Sequence, residues 1–212
     1  MRYKNIIFDV GGVLLSYRWL EIIMETIPVR EEAEHFAKLF YEDPLWLEFD
    51  IELRPFDDVV EDYVRKYPEF EKNIRYVLGH LERMPIRRER VWEKVHEVKK
   101  KGFMLYILSN YSSRMFNIHT KGLPFLEDID GHIISYETHH LKPDKEIYED
   151  LFLRYNLNPS ECLFFDDRQE NIDAGIKLGM DGRVINSEED LLVYLDRLIC
   201  EDSKWEMETI NG

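Results

Sequence analysis

The chain has 212 residues, 44% of them apolar and including 12 Phe and 12 Tyr, which suffices for one large domain or for a core with a smaller insertion. Its formal charge of -15 disfavours nucleic acid and anionic membrane as partners, since both are recognised by clustered Lys and Arg. Two cysteines, Cys162 and Cys200, give neither a disulfide framework nor metal spacing; no apolar run approaches the roughly 20 residues of a membrane span, and the N-terminus lacks a signal-peptide profile, so a cytoplasmic location is expected.

The first element is a buried strand, Asn5-Ile6-Ile7-Phe8, which ends in Asp9 and runs into a turn through Gly11 and Gly12. Residues 16–85 then change character. Apolar side chains fall at helical spacing, as in Val60, Tyr63, Val64 and Tyr67, and Pro28, Pro44, Pro55 and Pro68 punctuate a block of about four helices without a strand signal. A helix with Val91, Val95 and Val98 on one face ends at Gly102, and its Lys99-Lys100-Lys101 run suits a solvated helix end.

From there strands and helices alternate. Phe103 to Leu108 reads as a strand stopping at Ser109-Asn110, and a shorter run at Ile133-Ile134 precedes a loop carrying Lys142-Pro143. After a helix with Ile147, Leu151 and Tyr155 inward, Leu163-Phe164-Phe165 forms another strand, stopping at Asp166-Asp167. A helix through Ile172 and Ile176, a last short strand at Val184-Ile185 and a helix from Leu191 to Ile199, opened by a capping box of Ser187 and Asp190, complete the chain before a polar, flexible tail at 201–212. Apolar strands separated by helices predict an α/β fold with a parallel sheet covered on both faces.

In such sheets ligands bind at the carboxyl ends of the strands, where Asp9, Ser109, Asn110, Asp166 and Asp167 all fall, with Lys142 close behind. Carboxylates gathered in one crevice repel unless a cation lies among them, and Lys142 supplies one charge. A hard dication with oxygen ligands, magnesium, fits the inventory. Asp9 is then the candidate nucleophile, while the Ser109 hydroxyl and Asn110 amide are donors for phosphoryl oxygens.

Taken together, Phe8-Asp9-Val10-Gly11-Gly12-Val13-Leu14, Leu108-Ser109-Asn110, Lys142-Pro143-Asp144 and Phe165-Asp166-Asp167 with Asn171 resemble the four ordered motifs of the haloacid dehalogenase superfamily of hydrolases. The resemblance implies a Rossmann-like core formed by 1–15 and 86–200 and a helical cap inserted at 16–85. It implies magnesium held by Asp9, the Gly11 backbone carbonyl, Asp167 and Asp166 with Asn171 behind them, a phosphoryl group gripped by Ser109 and Lys142, and an aspartyl-phosphate on Asp9. Expected is a phosphatase of a small phosphorylated metabolite, foremost a sugar phosphate, acting as a monomer or small homo-oligomer.

Two departures stand out. Family phosphatases carry a second aspartate two residues after the nucleophile for proton transfer, and here that position is Gly11. Members similar to this one, with Asp-x-Gly-Asn at that place and activity toward sugar 1-phosphates, do without it. His139 stands where the family often has glycine, three residues before the lysine. The competing expectations are a 2-haloacid dehalogenase, a phosphosugar mutase and a catalytically weak phosphate-binding or regulatory protein. His139-His140 reads as an ordinary loop pair, Trp19, Trp46 and Arg54 as packing or surface residues, and Arg18, just past the first strand's loop, as a candidate specificity residue.

Overall fold

The computed structural model describes residues 2–200, so the tail expected to be flexible lies outside the described residues. In chain order, β1 (Asn5–Phe8) is followed by β2 (Leu15–Tyr17) and then by α1 (Trp19–Met24), α2 (Arg30–Tyr41), α3 (Leu45–Ile51), α4 (Phe56–Lys66) and α5 (Glu71–Gly79). The chain returns through β3 (Pro85–Arg87) and α6 (Glu89–Lys100) to β4 (Met104–Ser109) and α7 (Ser113–Thr120). The remainder is β5 (Gly131–Ile134), α8 (Ser135–Thr138), α9 (Lys145–Tyr155), β6 (Cys162–Asp166), α10 (Gln169–Lys177), β7 (Asp181–Val184) and α11 (Glu188–Ile199).

The main sheet has the order β5-β4-β1-β6-β7, and every pair in it is parallel. β1 lies in the middle, and its four residues are all buried. Alternation along the strands divides the core into two layers, because successive side chains point to opposite faces. Ile7, Tyr106, Leu108, Cys162 and Phe164 meet Ile147, Tyr148 and Leu151 of α9 and Ile172 of α10. Ile6, Phe8, Leu105, Ile107, Leu163 and Phe165 face the other way, toward Val91, Val95 and Val98 of α6 and Leu191 and Leu195 of α11. At the start of α11 the Ser187 hydroxyl accepts from the Asp190 N–H at 3.1 Å, and the Asp190 carboxylate accepts from the Asn186 N–H at 3.2 Å, so this cap reaches one residue further back than a capping box.

Three expectations need correction. Residues 16–85 contain strand: Leu15–Tyr17 pairs antiparallel with Pro85–Arg87, a ladder too short for period-2 patterning to show, and it joins the entry and exit of the helical insert. That insert holds five α-helices rather than about four, because α3 and α4 are separate short helices divided by Glu52 in a left-handed conformation (φ 51°). The last strand is Asp181–Val184, three residues earlier than Val184-Ile185 at its start. Its polar sequence suits the sheet edge, and Gly182 is required there since a Cβ would sit 2.8 Å from Ile172 Cγ2.

The loop between β1 and β2 is fastened from α6 and the residue before it. Arg88 donates to the Gly12 and Val13 carbonyls at 2.5 and 3.0 Å, and the buried Trp92 indole donates to the Leu14 carbonyl at 2.7 Å. A buried carbonyl stripped of its donor bears the desolvation cost of that group. Trp92→Phe, which keeps the ring contact with Phe125, should therefore lower stability by about 1–3 kcal/mol in urea unfolding. An unchanged unfolding midpoint would show that the Leu14 carbonyl does not depend on the indole.

Candidate active site

β1 delivers Asp9 to the rim of the sheet, where the Asp9 N–H continues the ladder to the Phe165 carbonyl at 2.8 Å. The parallel register places Phe8 beside Ile107 and Phe165, so the residues at the ends of β4 and β6, Ser109 and Asp166, flank Asp9. The Asp9 Oδ1 atom accepts from the Ser109 hydroxyl at 2.5 Å and from the Val10 N–H at 2.7 Å. Lys142 enters from the loop after α8: its ammonium lies 2.6 Å from Asp166 Oδ2 and 3.1 Å from Asp9 Oδ1, and it donates to the Leu108 carbonyl at 2.9 Å. The other Asp166 oxygen accepts from the Arg168 N–H at 2.8 Å and the Asn171 amide at 2.9 Å. Asp166 is thus fully engaged.

Asp167 differs. It is exposed, and no ion pair is formed with it among the described residues. Its carboxylate packs directly over Gly12, which has φ 70° and could carry no side chain there without a collision. Asp9, Asp166 and Asp167 each offer an oxygen within 4.8 Å of the others, a cluster with the donor set of a hard dication.

Asn110 lines the cavity over Asp9, and its side-chain amide donates to the Lys142 carbonyl at 3.0 Å and accepts from the Lys142 N–H at 2.8 Å, so it holds the lysine loop in place and keeps a second amide hydrogen. Arg18 requires a correction. It lines a separate groove with Glu21, Glu25 and Arg83, away from Asp9, because the β2–β3 ladder carries the chain past the rim before Arg18 is reached.

A cavity of about 120 Å³ opens over Asp9, lined among others by Gly11, Tyr17, Trp19, Trp46, Asp50 and His119. Trp19 and Trp46 therefore face the site as well as packing on Tyr41. Arg54 is paired with Glu48 and Asp62, and His140 lies 2.8 Å from Asp150. His139 takes a left-handed conformation (φ 58°), the backbone geometry that glycine favours, and its Nδ1 donates to the Ile51 carbonyl at 2.7 Å.

Burial pushes the Asp9 carboxyl up to about 7; Lys142 opposes the shift, and the Asp166 and Asp167 carboxylates add to it. Asp50 is also pushed up to about 7, by burial first and then by the Asp9 charge. Asp167, exposed as a residue but with its carboxylate packed over Gly12, is raised by the desolvation of that carboxylate and by the Asp166 charge. Burial alone would lower Lys142, yet Asp166 and Asp9 hold it above the usual lysine value. His119 is pushed down to about 4 by burial and is neutral near pH 7. Its Nε2 must then donate to the Leu81 carbonyl at 2.9 Å, which leaves Nδ1 to accept from the Tyr111 hydroxyl at 3.1 Å. Tyr111 in turn accepts from the Tyr17 hydroxyl.

The family model for haloacid dehalogenase-like hydrolases matches residues 3–179. The chain belongs to this family. The hydrolase is 24% identical over 193 residues to a D-ribitol-5-phosphate phosphatase of Bacteroides thetaiotaomicron, a match covering 84% of this chain and 89% of that protein. It is also 24% identical over 185 residues to a sesquiterpene phosphatase of Aspergillus oryzae, covering 85% and 88% of the two chains. Among solved structures, a haloacid dehalogenase family enzyme of B. thetaiotaomicron in complex with magnesium and inorganic phosphate superposes with a TM-score of 0.66 at 19% identity, covering 86% of this chain and 93% of that one. An L-2-haloacid dehalogenase superposes with a TM-score of 0.73 at 14% identity, covering 92% and 100%. At these identities the structural likeness carries the fold.

Asp50, Tyr17, Tyr111 and His119 were not legible as site residues of the hydrolase. Only Tyr111 carried a signal, its place directly after Ser109-Asn110. The raised carboxyls have a consequence for stability. A group whose folded-state pKa lies above its unfolded value stabilises fully below the unfolded value, about 4 for a carboxyl, and that contribution is lost as pH rises through the folded value. With Asp9 and Asp50 both near 7, the melting temperature in the presence of a chelator should fall between roughly pH 5 and pH 8. A melting temperature that rises over this range would contradict the assignment of raised carboxyls.

Proposed function

We propose that this hydrolase is a magnesium-dependent phosphatase of a small phosphorylated metabolite, with Asp9 as the nucleophile. The observation that carries the reading is the charge arrangement at the rim: a buried aspartate held by a serine hydroxyl and a lysine, beside a second and third carboxylate that leave it short of positive charge. Asp9, Asp167 and the Gly11 carbonyl, with Asp166 beside them, would hold the ion. When bound, magnesium supplies the positive charge that offsets the carboxylates and the phosphoryl oxygens.

In this reading the Ser109 hydroxyl and the Lys142 ammonium turn toward the phosphoryl oxygens, and an Asp9 oxygen attacks phosphorus to form an aspartyl-phosphate that water then cleaves. Residues 16–85 act as a cap, since Trp19, Trp46 and Asp50 reach the cavity from α1 and α3. The cavity walls of Tyr17, Trp19 and Trp46 suit the C–H faces of a sugar or polyol, which favours a sugar phosphate as substrate, and the named function of the ribitol-5-phosphate phosphatase supports the same class. Dehalogenation of a 2-haloacid needs no metal, and the acidic cluster of Asp9, Asp166 and Asp167, which suits a dication, disfavours it.

The test is phosphate release from a panel of sugar and polyol phosphates with and without magnesium. Wild type should turn over at least one member only with the ion, and Asp9→Asn should lose roughly 10⁴-fold or more in kcat. Chloride release from a 2-haloacid without metal, or activity surviving Asp9→Asn, would overturn the reading. Asp167→Asn should weaken magnesium binding at least about tenfold, followed by the ion's effect on melting temperature.

A further inference from the structure

Gly11 removes the side chain that would pass a proton to the leaving oxygen, and the space beside it is occupied. A Cβ on Gly11 would lie 3.3 Å from Tyr17 Cε2 and 3.6 Å from its hydroxyl oxygen, so the tyrosine ring fills the volume that a longer residue would need. Tyr17 does not itself offer a proton to the cavity. Its hydroxyl hydrogen is directed to Tyr111, whose own goes to His119 Nδ1, and the neutral imidazole ends the chain by donating to Leu81.

The other donors around Asp9 are engaged as well. The Ser109 hydroxyl donates to Asp9, and the Asn110 amide donates to the Lys142 carbonyl. Indole N–H groups are far too weak as acids. One proton-bearing group of suitable acidity remains on the cavity wall, the carboxyl of Asp50, a buried residue with 7% exposure.

The segment that carries Asp50 is pinned to the sheet side at three consecutive residues, two through backbone carbonyls and the third through a side chain. The buried Ser135 hydroxyl donates to the Asp50 carbonyl at 2.7 Å, and His139 donates to the Ile51 carbonyl at 2.7 Å. The Glu52 carboxylate accepts from the Ser113 N–H and hydroxyl, both at 2.6 Å, at the start of α7. This fixes the end of α3 over the rim and leaves the Asp50 side chain in the cavity with Asp9.

We propose that Asp50 is the general acid and base of this enzyme, a role moved from the second residue after the nucleophile to the helical insert. The inference rests on the phosphatase reading. As Asp9 bonds to phosphorus, the bond from phosphorus to the ester oxygen breaks, and its electron pair takes the proton of the Asp50 carboxyl, releasing an alcohol. The Asp50 carboxylate then takes a proton from water while the water oxygen attacks phosphorus. The bond from phosphorus to Asp9 breaks with its pair returning to the carboxylate, and inorganic phosphate leaves. Asp50 is buried on the same cavity wall as Asp9, which places its carboxyl where it can exchange a proton with the ester oxygen and with water.

The experiment compares wild type, Asp50→Asn and Asp9→Asn on two phosphates in the presence of magnesium: the best alkyl ester from the panel and p-nitrophenyl phosphate, whose leaving group needs no protonation. Asp50→Asn should lose roughly 10²- to 10⁴-fold on the alkyl ester. With p-nitrophenyl phosphate it should give a burst of p-nitrophenol close to the enzyme concentration, followed by slow turnover, since the first step survives and the base for the second is gone. The burst also shows that the variant is folded. Equal losses on both esters without a burst, or wild-type rates on both, overturn the role of Asp50 while an inactive Asp9→Asn leaves the phosphatase reading standing. Absence of any phosphate release by wild type overturns both.

Discussion

The Lys142 ammonium, buried between Asp9 and Asp166, is the interaction on which the rest of the site depends. Removing one lysine and two carboxylates from water is costly, and the mutual attraction offsets that cost only where the remaining donors and acceptors are satisfied. Asp166 meets that condition, with the lysine on one oxygen and the Arg168 N–H and Asn171 amide on the other. Asp9 meets it only in part. The lysine is nearer to Asp166, and the third carboxylate, Asp167, adds repulsion with no ion pair of its own among the described residues. A site built this way is stable as a fold but unbalanced as a charge distribution. The imbalance has one sign, and it sits at Asp9. A dication is the kind of ligand that restores the balance.

Positioning extends outward from that lysine in two directions. Asn110 clasps the Lys142 backbone with both ends of its amide, so the loop after α8 is tied to the end of β4. On the other side, Ser135, His139 and Ser113 hold Asp50, Ile51 and Glu52. Ser135 also accepts from the Tyr111 N–H at 2.8 Å, so a single hydroxyl links the insert to the segment that follows Ser109. The insert is therefore registered on the sheet through polar groups at the rim, besides its apolar packing. Hydrogen bonds of this kind fix orientation more sharply than apolar contacts, which are non-directional.

What could be read from the sequence follows from how local each signal is. Asp9, Ser109 and Asp166 were visible because each ends an apolar run that can only be a buried strand, and parallel strands present their ends at one edge. The strands of the β2–β3 pair were not visible, since three residues cannot show an alternation, and one of them begins with a proline. Asp50 was hidden for a different reason. It is one acidic residue among many in a helical stretch, and its importance comes from a packing relation with Ser135, 85 positions away. Arg18 shows the opposite error. Nearness in sequence to the nucleophile loop suggested nearness in space, whereas the short ladder takes the chain past the site and into another groove. Asn110 sits where the motif places it, yet its amide geometry, which the sequence does not encode locally, directs it to a backbone partner.

Gly11 and Tyr17 make one unit, and neither is intelligible alone. The glycine admits the aromatic ring against the backbone next to the nucleophile, and the ring closes the space from which an aspartate at that position would act. The hydroxyl at the ring's end is locked by a chain that terminates on a neutral histidine, so its direction is set by the Leu81 carbonyl at the far end. With its hydrogen committed to Tyr111, the oxygen of Tyr17 on the cavity wall keeps lone pairs that can accept a hydrogen bond. The rim then combines an acceptor of fixed direction with the aromatic faces of Trp19 and Trp46. Neither feature is needed to break a bond to phosphorus. Both line the cavity where the insert meets the sheet, and in the proposed reading they bear on which alcohol is accepted, while the chemistry is shared between Asp9 on the sheet and Asp50 on the insert.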